Sequence, residues 1–240
     1  MLFPRKRSFK TFLVTGSSSG IGKRIADDLA AKGGKVIYHS RIEHKLSIPS
    51  NAIYKFCDLS NLDKSIELVD SIEKEVEIDC LVCSAGRTYV HPANDTSLNF
   101  SNEDSIRTFN DIVYATTNIC KVVLPRMIRR KRGRVVIIGG DVVDRPNSKG
   151  TMCSYAMAKA AVHQYAMYLT QELKSLGAPI SVNVVAPAGV IRENESYRGE
   201  PSIGTIPTSD VSEAVCQLCL SNGDSLNGQI IRISNAKTAY

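Results

Sequence analysis

Short apolar runs alternate with amphipathic helical patterns along nearly the whole chain, and no other feature limits the choice of fold as tightly. A strand that reads as a continuous apolar run is covered on both faces. A helix between two such strands returns the chain so that they pair in parallel. The runs fall at Thr11 to Thr15, Lys35 to His39, Ala52 to Phe56, Asp79 to Cys83, Gly133 to Ile138, Ile180 to Val185 and Gly228 to Ile233. Helical patterns follow the first run to about Lys32, then cover Leu62 to Glu75, a segment ending near Arg130, Ser154 to Leu176, and Asp210 to Leu220. The reading is α/β: a doubly wound parallel sheet of about seven strands. With 43% apolar residues, no internal repeat and no linker, one domain over 11–240 is expected, behind a basic lead-in at 1–10.

Several classes are excluded on the same sequence. No run approaches eighteen uninterrupted apolar residues, so no membrane span is expected. The apolar stretch after Arg5, Lys6, Arg7 and Lys10 is only Thr11 to Val14, too short for a secretory signal, and a cytoplasmic protein is expected. Part of the +6 net charge gathers at Arg129, Arg130, Lys131, Arg132 and Arg134. No aromatic residue is interleaved there, which favours a solvated surface turn over a nucleic-acid site. Seven cysteines, an odd number within apolar segments, argue against a secreted disulfide framework. Two CxxC pairs raise zinc. Cys80 and Cys83 share a strand, where positions three apart point to opposite faces. Cys216 and Cys219 lie on an amphipathic helix as core residues, and no metal site is expected.

The turn Thr15-Gly16-Ser17-Ser18-Ser19-Gly20-Ile21-Gly22 follows a strand and opens a helix. Gly16 takes a tight turn, Gly20 lets backbone approach a pyrophosphate, and Gly22 lets helix and strand pack closely. The helix N-terminus offers free N–H groups and a positive dipole end. The spacing is GxxxGxG rather than GxGxxG, and a bland glycine loop is the alternative. Dinucleotide-binding sheets that take NAD place a carboxylate at the end of the second strand. Here the chain reads Tyr38-His39-Ser40-Arg41. Ser40 and Arg41 suit a 2′-phosphate, so NADP(H) is favoured over NAD, with a plain surface arginine as the alternative.

Together with four further pieces, the chain resembles the short-chain dehydrogenase/reductase family, ketoacyl reductases included. TGSSSGIG at 15–22 is similar to the family's TGxxxGxG, and Cys57-Asp58-Leu59 to its adenine-contacting Asp. Ser84-Ala85-Gly86 resembles Asn-Ala-Gly, Tyr155-Ala156-Met157-Ala158-Lys159 resembles YxxxK, and Val182 to Pro187 resembles the strand leading to the nicotinamide. The resemblance implies a single-domain Rossmann fold holding NADP(H). Its cofactor contacts would be Gly16, Ser18, Ser19, Gly20, Ile21, Gly22, Ser40, Arg41, Asp58, Leu59, Ser84, Ala85, Gly86, Tyr155, Lys159, Pro187 and Val190. It also implies hydride transfer between nicotinamide and a carbonyl or alcohol substrate, with Tyr155 as proton donor or acceptor assisted by Lys159. One helical turn separates the two residues, and a nearby ammonium lowers a phenol's pKa from about 10. A homodimer or homotetramer is implied, through the helices before the fifth and sixth strands. Ala156, Ala158, Ala160 and Ala161 would permit close helix contact or pack inward. An acyl carrier protein docked at Arg129–Arg134 is a further implied partner.

The chain also departs from the pattern. Gly140 stands where the family has a serine that holds the substrate carbonyl, and the connection on to Tyr155 is longer than usual. Ser148, Thr151 or Ser154 is a candidate replacement hydroxyl; Asp141, in extended chain, would point away. Ile112 stands at the family's helix asparagine, and Asn110, two residues off, does not share its face. Arg192 replaces a threonine, Pro187-Ala188-Gly189 replaces Pro-Gly, and the short segment Gly189 to Thr208 suggests an open pocket. Losing one preorganised oxyanion donor costs on the order of 10²–10³ in rate. A second reading therefore stands beside the enzyme: a catalytically weak or inactive NADP(H)-binding protein acting as partner or sensor.

Overall fold

The structure is a computed structural model that describes residues 10–87, 95–146, 150–191, 205–221 and 226–235. The basic lead-in, Ser148, Arg192 and most of the Gly189–Thr208 segment lie outside the described residues.

The first apolar run forms β1 (Thr11–Thr15), all five residues buried. It is followed by α1 (Gly20–Ala31), β2 (Lys35–Ser40), β3 (Ile53–Phe56), α2 (Leu62–Glu73) and β4 (Cys80–Cys83). Next comes α3 (Asn102–Phe109), which runs through one π-helical turn, Asn110–Tyr114, into α4 (Ala115–Arg130). The chain then forms β5 (Gly133–Ile138), α5 (Cys153–Ser175), β6 (Ile180–Pro187), the short pair β7 (Val190–Ile191) and β8 (Ile206–Pro207), α6 (Thr208–Leu220) and β9 (Ile230–Ile233). Seven strands make one parallel sheet in the order β3-β2-β1-β4-β5-β6-β9. This is the Rossmann architecture that the alternation predicts. The β7–β8 pair and the π-helical turn have no counterpart in the sequence reading.

The pleat divides each apolar strand between two cores. Leu13, Ile37, Leu81 and Val135 face α2, α4 and α5; Phe12, Val14, Val36 and Val82 face α1 and α6. Cys80 and Cys83 obey the same period and enter opposite cores. The Cys80 thiol donates to the Cys219 sulfur at 3.3 Å, and Cys83 lies 3.8 Å from Cys120. Among the described residues no helix is long and apolar enough to cross a membrane.

The basic run does not form one solvated turn. Arg130 pairs with Glu73 at 3.0 Å and donates to the Ile78 carbonyl, and Arg132 pairs with Asp79. Arg134, inside β5, is 3% exposed and donates to the Leu218 carbonyl and the Ser221 hydroxyl. Arg129 and Lys131 are left as its exposed members. A cation within a paired strand must find acceptors where the pleat sends it, and here those lie at the end of α6.

The strand order reverses between β1 and β4. The connections leaving their carboxyl ends diverge there and open a crevice, the usual ligand position in sheets of this kind.

Candidate active site

The crevice is a cleft of about 1070 Å³ at the carboxyl ends of β1 to β6. All residues assigned to cofactor or catalysis from the sequence line it, from Gly16 at one end of the chain to Val190 at the other.

Its floor is the glycine turn. Gly16 has φ +65° and Gly20 φ +57°, conformations that disfavour side chains. A Cβ on Gly16 would stand 2.6 Å from the Ala85 Cα, so only glycine lets the loops after β1 and β4 meet. Thr15 secures that meeting, its hydroxyl oxygen accepting the N–H groups of Ser84 and Ala85 at 3.1 Å each. Ser19, at the N-cap of α1, makes no side-chain cap bond, so the first-turn N–H groups face the cleft without that partner. A glycine cradle, an uncapped helix N-terminus and this volume fit a dinucleotide pyrophosphate.

His39 organises the neighbouring wall. Its ring is buried, with Nδ1 accepting from the Gly16 N–H at 3.5 Å and Nε2 at 3.1 Å from the Cys57 carbonyl. Burial pushes its pKa down to about 4, so a neutral ring donates on one side and accepts on the other. Asp58 accepts the backbone and hydroxyl hydrogens of Ser60 at 2.9 and 2.7 Å. Asn118 on α4 donates to the carbonyls of Leu59 and Ser60, both at 3.0 Å. Ser40 is nearly buried; its hydroxyl donates to the Ile42 carbonyl and lies 2.6 Å from the Tyr54 hydroxyl. Arg41 meets Asp111, from the π-helical turn, at 2.8 Å.

His39 and Asp111 are site builders that the motifs alone do not single out, and Thr15, the first residue of the glycine motif, acts through its hydroxyl on the loop after β4. His39 is visible in the sequence as a polar ring ending an apolar strand. Asp111 gives no local signal, because its partner is seventy residues away.

The other end of the cleft carries α5. Asp95 anchors this helix, accepting the N–H of Ser154 at 2.9 Å and its hydroxyl at 2.7 Å. Lys159, one turn beyond Tyr155, is buried; its Nζ donates to the Ile138 carbonyl at 2.7 Å and lies 5.6 Å from the Tyr155 ring centre. Burial pushes Lys159 down to about 8. It pushes Tyr155 up to about 12, with the Asp141 carboxylate adding to the rise. The sequence predicts a phenol lowered by the ammonium; in this structure the shift runs the other way, and desolvation is its main cause.

The departures also take definite positions. Gly140 is extended (φ −176°), and a Cβ there would make ordinary contacts with Val142 and Lys159 at 3.5 and 3.7 Å. Ser154 is fully buried with its hydroxyl on Asp95, Thr151 pairs with Thr96, and neither lines the cleft. Asp141 does line it, because the chain turns into a 3-10 helix at Asp141–Val143. The expectation that Asp141 points away assumed extended chain and is corrected. Ile112 is buried within the π-helical turn, outside the cleft lining; a Cβ on Gly86 would come within 3.1 Å of it.

The model of the family described as short chain dehydrogenase matches residues 10–200. An uncharacterized oxidoreductase, YmfI, of Bacillus subtilis (strain 168) is 30% identical over 247 residues, covering 94% of this chain and 97% of the relative. The 3-oxoacyl-[acyl-carrier-protein] reductase FabG of Escherichia coli (strain K12) is 36% identical over 188 residues, covering 74% of this chain and 72% of that protein. The crystal structure of a 3-oxoacyl (acyl-carrier-protein) reductase from Agrobacterium tumefaciens C58 with NADP bound superposes with a TM-score of 0.78 at 25% identity, covering 93% of this chain and 92% of that chain.

Proposed function

Because the chain belongs to the short chain dehydrogenase family, we propose that it is an NADP(H)-dependent oxidoreductase interconverting a carbonyl compound and its alcohol. The observation that carries this is the placement of Tyr155 and Lys159 on the same cleft as the glycine cradle. When bound, the dinucleotide supplies or accepts the hydride. Gly16, Ser18, Ser19, Gly20, Ile21 and Gly22 hold its pyrophosphate at the start of α1. Arg41, beside Ser40, binds the 2′-phosphate, and Asp58 and Leu59 face the adenine. Ser84, Ala85, Gly86, Pro187 and Val190 flank the nicotinamide end. Lys159 holds the ribose there, and Tyr155 passes a proton to or from the substrate oxygen.

Burial favours the neutral phenol, the form that can donate a proton, which suits carbonyl reduction near neutral pH. A 3-oxoacyl thioester is the first substrate class to try, given the names of the relatives. Docking of an acyl carrier protein would rest on Arg129 and Lys131, because Arg130, Arg132 and Arg134 already have partners within the chain. Self-association through α5 finds support in Met157, Met167 and Tyr168, exposed at 39%, 51% and 72%; Ala158 is buried and packs inward.

The test is calorimetric titration with NADPH and NADH, followed by NADPH oxidation with acetoacetyl-CoA in wild type and Tyr155→Phe. Tight NADPH binding with turnover lost in the Phe variant is the expected result. The second reading, an NADP(H)-binding protein with little catalysis, draws on the missing side chain at Gly140 and on Ile112. Tight binding without turnover of acetoacetyl-CoA or a broad ketone panel would favour it.

A further inference from the structure

We propose that Asp141, in its protonated form, donates the second hydrogen bond to the substrate carbonyl oxygen, beside the Tyr155 hydroxyl. This rests on the oxidoreductase reading above.

The backbone puts Asp141 there. Gly140 is the last extended residue after β5, and its N–H is held by Nε2 of His163 at 3.3 Å. The chain then tightens into the 3-10 turn, in which the Asp141 carbonyl accepts the N–H groups of Asp144 and Arg145, both at 3.0 Å. That turn brings Asp141 onto the cleft wall shared with Tyr155 and Lys159. Of the hydroxyls that could have served instead, that of Ser154 is turned toward Asp95, and Thr151 does not line the cleft.

The surroundings shift Asp141 toward the neutral acid. Partial burial holds the Asp141 carboxyl above its ordinary range; Arg145 opposes the rise, Asp144 adds to it, and a hydrogen bond from its own backbone N–H and the Arg232 charge oppose it. The titratable and charged groups around it are Asp144 and Arg145 on its own turn, Tyr155, Lys159 and His163 on α5, and Arg232 on β9. An ionised carboxylate can only accept hydrogen bonds, whereas the protonated acid donates one. A carboxylic acid kept neutral by its site can stabilise a developing oxyanion in this way. In the step itself the carbonyl carbon gains the hydride, the π pair moves to oxygen, and that oxygen takes the Tyr155 proton. Asp141 keeps its own proton throughout.

The experiment compares full-length wild type, Asp141→Asn, Asp141→Ala and Tyr155→Phe, with NADPH and acetoacetyl-CoA, from about pH 5 to about pH 9. Melting curves and NADPH affinity confirm that each variant is folded. Wild-type kcat/KM is expected to fall as Asp141 ionises. The Asn variant should lack that limb, since an amide donates at every pH. The Ala variant should be lower throughout, by about 10²-fold. A carbon-13 titration of aspartate-labelled protein without cofactor or substrate supplies the independent readout, Asp141→Asn identifying the resonance. Its midpoint should lie above the ordinary carboxylate range and match the kinetic limb. An Ala variant within about twofold of wild type, with Tyr155→Phe inactive, would overturn the assignment to Asp141 alone. So would a carboxyl midpoint in the ordinary range. Full activity in Tyr155→Phe would overturn the tyrosine reading, and with it the place given to Asp141 beside that phenol.

Discussion

Arg41, at the end of β2, and Asp111, in the π-helical turn before α4, form an ion pair at 2.8 Å, and both line the cleft. The guanidinium assigned to a 2′-phosphate is thus already engaged by a carboxylate that the phosphate must displace or share.

Asp111→Asn should therefore tighten NADPH binding and leave NADH nearly unchanged. Arg41→Ala should weaken NADPH by about tenfold, one charge-assisted hydrogen bond discounted for solvent exposure. Titration calorimetry with both cofactors measures each effect. Equal losses for NADPH and NADH in Arg41→Ala would remove Arg41 from cofactor selection.

Lys159 gives a stability prediction with a definite sign. Its pKa falls from 10.5 to about 8 on folding, so the fold disfavours the ammonium. That penalty is complete below about pH 8 and fades as pH rises toward 10.5. Lys159→Met should accordingly gain more Tm over wild type at about pH 6 than at about pH 10. A Tm difference independent of pH would show that the ammonium is not penalised.

Asp95 holds α5 in place from below. Asp95→Ala leaves the Ser154 N–H and hydroxyl without their acceptor in a buried place, at a cost of about 2–3 kcal/mol. For a domain of this size that is a Tm drop of roughly 5–10 °C. Thermal melts monitored by circular dichroism report it, and an unchanged Tm would leave Asp95 outside the account of how Tyr155 is positioned.

Gly140 has room for a side chain, since a Cβ there would meet Val142 and Lys159 only at ordinary contact distances. In an Asp141→Ala background, Gly140→Ser should restore part of the lost rate, by about tenfold or more, because a hydroxyl would again face the substrate oxygen. Steady-state assays with acetoacetyl-CoA decide the matter. No recovery, with NADPH binding intact, would mean that a side chain at 140 does not reach the oxygen.

The elements are legible in the sequence because continuous apolar runs and amphipathic stretches are local signals. β1 and β5 begin and end where the runs do, and every assigned site residue lines one cleft. What stays hidden depends on pairings across the fold. The His39 ring links Gly16 to Cys57 only once three strands are aligned. Arg134 reads as one member of a surface cluster, yet its acceptors belong to the end of α6, more than eighty residues later. Asp141 is misplaced by sequence reasoning for a different reason. Its direction follows from a single turn of 3-10 helix, and nothing in its neighbours' composition announces where an extended chain stops.

The strand order also has a consequence for synthesis. β1, β2 and β3 lie on one wing and are made first; β4, β5 and β6 are laid down on the other side afterwards. A nascent chain can therefore pair its first three strands and form the glycine turn long before Tyr155 leaves the ribosome. Until β4 arrives, β1 presents an unpaired edge carrying Phe12, Leu13 and Val14, which the finished protein buries completely. An apolar, uncharged edge of that kind is a template for pairing with another chain. The hazardous interval for this chain is thus the translation of the residues between β3 and β4, when a strand that the finished sheet buries still has an open edge.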